Sequence, residues 1–175
     1  DPFEQLATVG MGQDHVHQHQ IERLVLRPCG LQGRGGVTGL QAVALEANQS
    51  ASKLSVRGSA TGGLALTGGG EARTLNLGTG GLEVLDGAGP VMVGSAATGQ
   101  GVAVSLAGNQ TWTNGSANAV VVQNGIGASG AYTLTLRGAG GFRLSGPGTF
   151  SGGLTLSSST VGIGDNAALG TNTFT

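Results

Sequence analysis

The chain has 175 residues, of which 36 are glycine, 10% are charged and 3% aromatic, with a formal charge of -1. With 38% apolar residues and almost no net charge it is not a disordered polyelectrolyte, and glycine without a three-residue period beside only 4 prolines excludes collagen. One lysine, Lys53, and seven dispersed arginines make no basic patch, so nucleic acid is not an expected partner.

In chain order, Asp1-Pro2-Phe3-Glu4 lacks the basic-then-apolar pattern of a secretory leader. Either none is used or the chain is already processed. Residues 1–50 hold all three histidines, the single cysteine Cys29 and five of the nine acidic residues. This segment is expected to form an irregular N-terminal cap or first rung, with candidate strands at Ile21–Leu26 and Gly39–Leu45. With no second cysteine, an internal disulfide is ruled out, and Cys29 reads as a small buried hydrophobe. On an extended strand His15, His17 and His19 fall on one face, with neighbouring Cβ atoms about 7 Å apart. Two such imidazoles can share a metal; three in line need Asp14, Glu22 or a neighbouring chain to complete a site. Polar surface or subunit contact is the preferred reading, and no metal or cofactor is expected.

From residue 51 to 175 one pattern recurs: a short run alternating Leu, Val or Phe with Ser, Thr or Ala, then glycine. It appears at Lys53–Gly58, Leu64–Gly68, Thr74–Gly78, Leu82–Gly87, Val91–Val93, Val102–Leu106, Tyr132–Gly138, Phe142–Gly146 and Leu154–Leu156. Period-two alternation is the mark of strands with one buried face, and nothing reads as a helix. The longest aliphatic run, Ala119–Val122, is far short of the roughly 20 residues of a membrane helix, so no membrane span is expected. Strands about every ten residues suit a sandwich or a solenoid. The inward positions are mostly single Leu or Val beside small neighbours, which fits a narrow coil. An all-β parallel β-helix (β-solenoid) of about 20 to 25 residues per rung, in one continuous domain, is therefore the expected fold.

Two stretches carry a family resemblance: Ser145–Leu156, containing "GTFSGGLTL", and Thr160–Gly170, containing "GDNAALG". They resemble the autotransporter-associated β-strand repeat, with a looser relative at residues 108–122. The resemblance implies a single-stranded right-handed parallel β-helix in a bacterial surface or secreted protein, often adhesive or structural. A member of that family would continue into a membrane-barrel translocator, which these residues do not contain. The chain is then a passenger segment or a coil put to another use.

Catalytic readings find little support. A polysaccharide-cleaving β-helix needs converging carboxylates, and Glu71, Glu83, Asp86 and Asp165 read instead as a solvated face and turn caps. The histidines lie far from any serine elbow, the glycine clusters lack a P-loop lysine, and single Asp165 makes no calcium repeat. The sequons at Asn48, Asn109 and Asn114 read as ladder and turn residues. At the far end, "NAALGTNTFT" offers neither proline, nor charge after Asp165, nor a helix to close an apolar rung. The expectation is a non-enzymatic structural subunit at the cell surface or outside the cell. Leu169 and Phe174 of one copy would meet Ile21, Leu24 and Leu26 of the next in a head-to-tail homopolymer. The rivals are a passenger adhesin with a matrix or host ligand and, more remotely, a polysaccharide-cleaving enzyme.

Overall fold

Alternating apolar side chains can bury one face of every strand only if the coils stack, and this is the arrangement found. A computed structural model describes residues 24–26, 41–57 and 62–175. Within them there are no helices; the strands all pair in parallel and build a β-solenoid.

One sheet stacks six strands: β2 (Gln41–Ala44), β4 (Leu64–Thr67), β6 (Val91–Val93), β9 (Val120–Val122), β12 (Phe142–Leu144) and β14 (Val161–Ile163). The other sheet is two files of strand joined through β3 (Gln49–Val56) and β5 (Arg73–Val84). Its first file runs from the front halves of β3 and β5 to β7 (Val102–Leu106) and β10 (Ile126–Ala128). Its second runs from β1 (Leu24–Leu26) through the back halves of β3 and β5 to β8 (Gln110–Asn114), β11 (Leu134–Arg137) and β13 (Leu154–Ser157). Each coil thus contributes three extended segments.

Thr74–Leu77 and Leu82–Val84, separate in the sequence pattern, belong to the one bent strand β5. Ala51 pairs with Leu77 and Lys53 with Gly81, so Gly78, Thr79 and Gly80 turn the wall against the single residue Ser52. A Cβ on Gly80 would stand 2.6 Å from the Ser52 carbonyl oxygen, which is why the corner needs glycine. Gly138 closes a later corner the same way: its φ is +114°, and a Cβ there would lie 2.1 Å from the Asn114 carbonyl oxygen.

The registers measure the coil. Val43, Leu66, Val93, Val122, Leu144 and Ile163 stand in line, so successive residue-number differences are 23, 27, 29, 22 and 19. In the second file Ser55, Glu83, Thr113, Arg137 and Ser157 give 28, 30, 24 and 20. The expected 20 to 25 residues per rung therefore fits the C-terminal coils, whereas the middle coils are longer. The surplus sits in corners such as residues 94–101 and 115–119, where glycine and small polar residues bond to one another and to the neighbouring coil.

Burial follows the ladders. Leu64, Val91, Val120 and Phe142 occupy one inward line, Leu66, Val93, Val122 and Leu144 the next, and all are buried. Trp112 from the second file reaches across to Phe142, ring centroids 6.4 Å apart at 43°. Such tilted aromatic pairs add to the area they bury. The inner ladder is thus a mixture of Leu, Val, Ile and aromatics rather than leucine alone.

Three buried polar side chains, Gln110, Asn114 and Ser116, answer backbone groups of this core. Asn114, fully buried, takes the place held by Val84 one coil earlier. Its Nδ2 donates to the carbonyls of Asn118 and Gly141, both at 2.8 Å, and its Oδ1 accepts from the Ser116 amide at 3.1 Å. Ser116 Oγ donates to the Ala88 carbonyl at 2.6 Å, so one corner ties three coils together. Gln110 Nε2 donates to the Leu77 carbonyl while its Oε1 accepts from Trp112 Nε1 at 2.9 Å. Unpaired, each of these groups would cost roughly 1–3 kcal/mol in the dry interior.

Candidate functional site: the last coil

The last coil begins at β14, whose Val161 and Ile163 pair with Phe142 and Leu144 of β12. β12 is covered on both sides, by β9 and β14, but β14 ends the sheet. The corner that follows is "GDNAALG". Asp165 Oδ1 accepts from the Ala167 amide at 2.8 Å, an Asx turn of the kind short polar side chains favour. The Ala167 carbonyl accepts from the Gly148 amide at 2.9 Å, and the Phe150 carbonyl from the Thr171 amide at 3.1 Å. Ala168 is buried and Leu169 packs against the core.

Past the corner, Asn172 Nδ2 donates to the Ser151 carbonyl at 2.6 Å. Leu154 N–H donates to Thr173 O at 3.0 Å, Thr175 N–H to Leu154 O at 3.0 Å, and Leu156 N–H to Thr175 O at 2.8 Å. Phe174 is thereby held opposite Leu154 in parallel register. Thr175 continues the outward file Thr111, Thr135, Thr155, its hydroxyl 3.2 Å from that of Thr155.

The coil is thus held firmly on its inner side, yet two large side chains stand half in water: Ile163 at 48% and Phe174 at 45% exposure. They are the two exposed large hydrophobic residues among the described residues. They sit on the terminal edges of different sheets, with the buried corner between them. An apolar strand edge with open backbone groups is a template for another strand.

The sequence-derived interface residues fare differently. Phe174 is half exposed, opposite Leu154. Leu169 is partly buried and packs against the core in the corner after β14, and the half-exposed Ile163 was not selected from the sequence. The Val161-Gly162-Ile163 alternation, one repeat after Phe142-Arg143-Leu144, was the signal for it. Leu24 and Leu26 lie in β1, at the opposite limit of the two-file sheet that Phe174 extends. Ile21, the three histidines, Asp14, Glu22 and Cys29 lie outside the described residues.

The remaining candidates have local partners. Lys53 Nζ is 3.0 Å from Glu83 Oε2, and Ser55 Oγ donates to the same carboxylate oxygen at 3.2 Å. The Lys53 ammonium, helped by Ser55 and Arg57, holds the Glu83 carboxyl below the usual glutamate range against an opposing desolvation. Glu71 pairs with Arg73 at 2.8 Å, and Asp86 Oδ1 accepts from the Gly87 amide at 2.8 Å. Asn48 and Asn109 each accept an amide of the next coil, from Thr74 at 2.9 Å and Thr133 at 3.0 Å, as the ladder reading requires. Among the described residues no three of His, Cys, Asp and Glu gather as a metal site, and no helix is long and apolar enough to cross a membrane.

No protein-family model matches this chain, and comparison with curated proteins and with solved structures yields no match.

Proposed function

We propose that this chain is a structural subunit and not an enzyme: a β-solenoid whose last coil stacks on the first coil of another copy, head to tail, to make an extracellular filament or matrix fibre. The single observation that carries this reading is the half-exposure of Ile163 and Phe174 on a coil that is bonded through β14 and residues 171–175 to its predecessor. Parallel pairing gives the contact a direction. The first described strands of the two sheets, β1 and β2, run the same way as the last, so a second copy placed end-on continues both sheets without reversing a strand. A contact between two different ends does not close on itself and propagates. Low charge removes the usual deterrent, because edge lysines are what commonly block such pairing and the sole lysine, Lys53, is tied to Glu83 far from this edge.

The test is sedimentation velocity over a range of concentration, with negative-stain images of the same samples. The expected result is species growing with concentration into rods; a single small species at every concentration contradicts the reading.

A second reading is favoured by a separate observation. The stretch that resembles the autotransporter-associated repeat, residues 145–170, is where the coil tightens to 19 and 20 residues per step. On this reading the coils are a segment of a bacterial surface passenger displaying its side wall to a host or matrix ligand, and the open edge is the seat of further coils. It is distinguished by the same experiment, since it expects single particles that bind a surface ligand through the wall.

A further inference from the structure

We infer that the corner at Asp86-Gly87 is a site of self-modification, where the chain converts Asp86 to isoaspartate through a cyclic imide while its two Asn-Gly pairs stay unchanged in the folded protein. Three pairs in the sequence have the composition for this chemistry: Asp86-Gly87, Asn114-Gly115 and Asn124-Gly125. Glycine after Asp or Asn favours it, because no Cβ hinders the approach of the glycine nitrogen to the preceding side chain. On residue type alone the two asparagines come first, since a neutral amide is a better electrophile than an ionised carboxylate. The fold reverses that order.

The Gly87 N–H donates to Asp86 Oδ1 at 2.8 Å, so the nitrogen already lies against the carboxyl group it attacks. Both residues are exposed, the φ of Gly87 is +76°, and a Cβ built on it would meet nothing within 4 Å, so the ring closes into open space. The Asn-Gly pairs are clamped instead. Asn114 is fully buried, its Nδ2 bonded to the Asn118 and Gly141 carbonyls and its Oδ1 to the Ser116 amide, while the Gly115 N–H donates to Val84 O at 2.8 Å. Asn124 Oδ1 accepts from the amides of Ser95 at 2.9 Å and Val102 at 3.0 Å, and its Nδ2 donates to Ser95 O at 3.0 Å. Beside it a Cβ on Gly125 would stand 2.2 Å from the Pro147 carbonyl oxygen, which leaves no room to turn.

In the reaction the Gly87 nitrogen bonds to Asp86 Cγ, and one carboxyl oxygen leaves as water with the acid proton and the amide proton. Water then adds at the main-chain carbonyl of Asp86 and breaks its bond to Gly87, so that the chain runs through Cγ. The two steps return the original atoms and need no oxidant or cofactor. The backbone gains one carbon next to Ala88, whose carbonyl accepts from Ser116 Oγ at 2.6 Å and Asn118 Nδ2 at 3.3 Å, so the tie to the following coil is weakened.

The experiment compares the full chain with its Asp86→Asn variant, in which all three sites share one chemistry and conversion is read as the mass gained when ammonia leaves and water enters. Both are kept folded or in urea, in mildly alkaline buffer, and their peptides are analysed by mass spectrometry with electron-transfer fragmentation, which tells isoaspartate from aspartate. In the folded variant residue 86 is expected to convert on the order of tenfold faster than 114 and 124, and in urea the three rates converge, because closure then no longer waits on local opening. Equal rates in the folded variant, or faster conversion at 114 or 124, overturn the inference. A ratio that persists in urea assigns the difference to local sequence and overturns it as well. If circular dichroism shows the variant unfolded, the parent chain decides: isoaspartate accumulates at residue 86 before Asn114 or Asn124 deamidates, and the opposite order overturns it.

Discussion

The middle coils and the last coil are made of the same alternating strands, yet they stand in opposite circumstances. Around Trp112 every inward side chain has a coil above and below it: Trp112 itself is 1% exposed, with Leu136 over it and Phe142 across the core. At β14 and Phe174 the same kind of side chain has a neighbour on one side only. The last coil is nonetheless tied down on its inner side, through the Asp165 turn, Asn172 and the Thr173–Thr175 backbone. In a stack of parallel coils both hydrophobic burial and backbone pairing depend on having a neighbouring coil on each side. The last described coil therefore keeps its bonds to the coil beneath it while two of its large side chains stand half exposed.

That contrast predicts unequal costs of substitution. Trp112→Ala removes the largest enclosed side chain, the partner ring of Phe142 and the donor to Gln110, and is expected to destabilise by about 3–5 kcal/mol in urea unfolding. A loss below 1 kcal/mol would mean the middle core is not closed. Asn114→Ala strands the Asn118 carbonyl and the Ser116 amide and leaves the Gly141 carbonyl only the Val120 amide, and about 2–3 kcal/mol should go with them.

Glu83→Gln comes next, at roughly 0–1 kcal/mol, because the Lys53 pair is partly solvated. Its effect has a pH signature. A carboxyl held below its unfolded value binds fewer protons in the folded state, so its contribution is complete above the ordinary glutamate range and is lost as pH falls through the lowered folded value. The variant should accordingly show a shallower loss of stability on acidification than the parent; parallel acid curves would refute the assignment. Smallest of all, Ile163→Ser and Phe174→Ser should each move the stability of the dissociated chain by no more than about 0.5 kcal/mol, since half of each side chain is already in water. The same two substitutions should nonetheless impair assembly.

Much of this was legible in the residues themselves. Val91–Val93 and Val102–Leu106 appear as strands with the bounds their alternation gives, because nothing but side-chain period decides them. Three features were hidden. β8 and β9 carry Gln110, Asn114 and the run Val120–Val122, where polar residues point inward or apolar ones do not alternate, so period two is lost. Those inward polar groups answer to backbone atoms 27 to 33 residues away, as Asn114 does to Gly141 and Gln110 to Leu77, a demand no local window contains. The fusion of two runs into β5 depends on how Gly78–Gly80 meet Ser52, which is again a contact between coils. The same holds in the last coil, where Leu169 is partly buried and Ile163 half exposed, a difference set by packing against the preceding coil that no local window contains.

The claim that the last coil is a joining surface is tested most directly by hydrogen exchange on the chain at low and high concentration. Amides of residues 161–163 and 173–175 should exchange more slowly as concentration rises, while those of β8 and β9 stay equally protected throughout. Exchange at the last coil that is indifferent to concentration would contradict it.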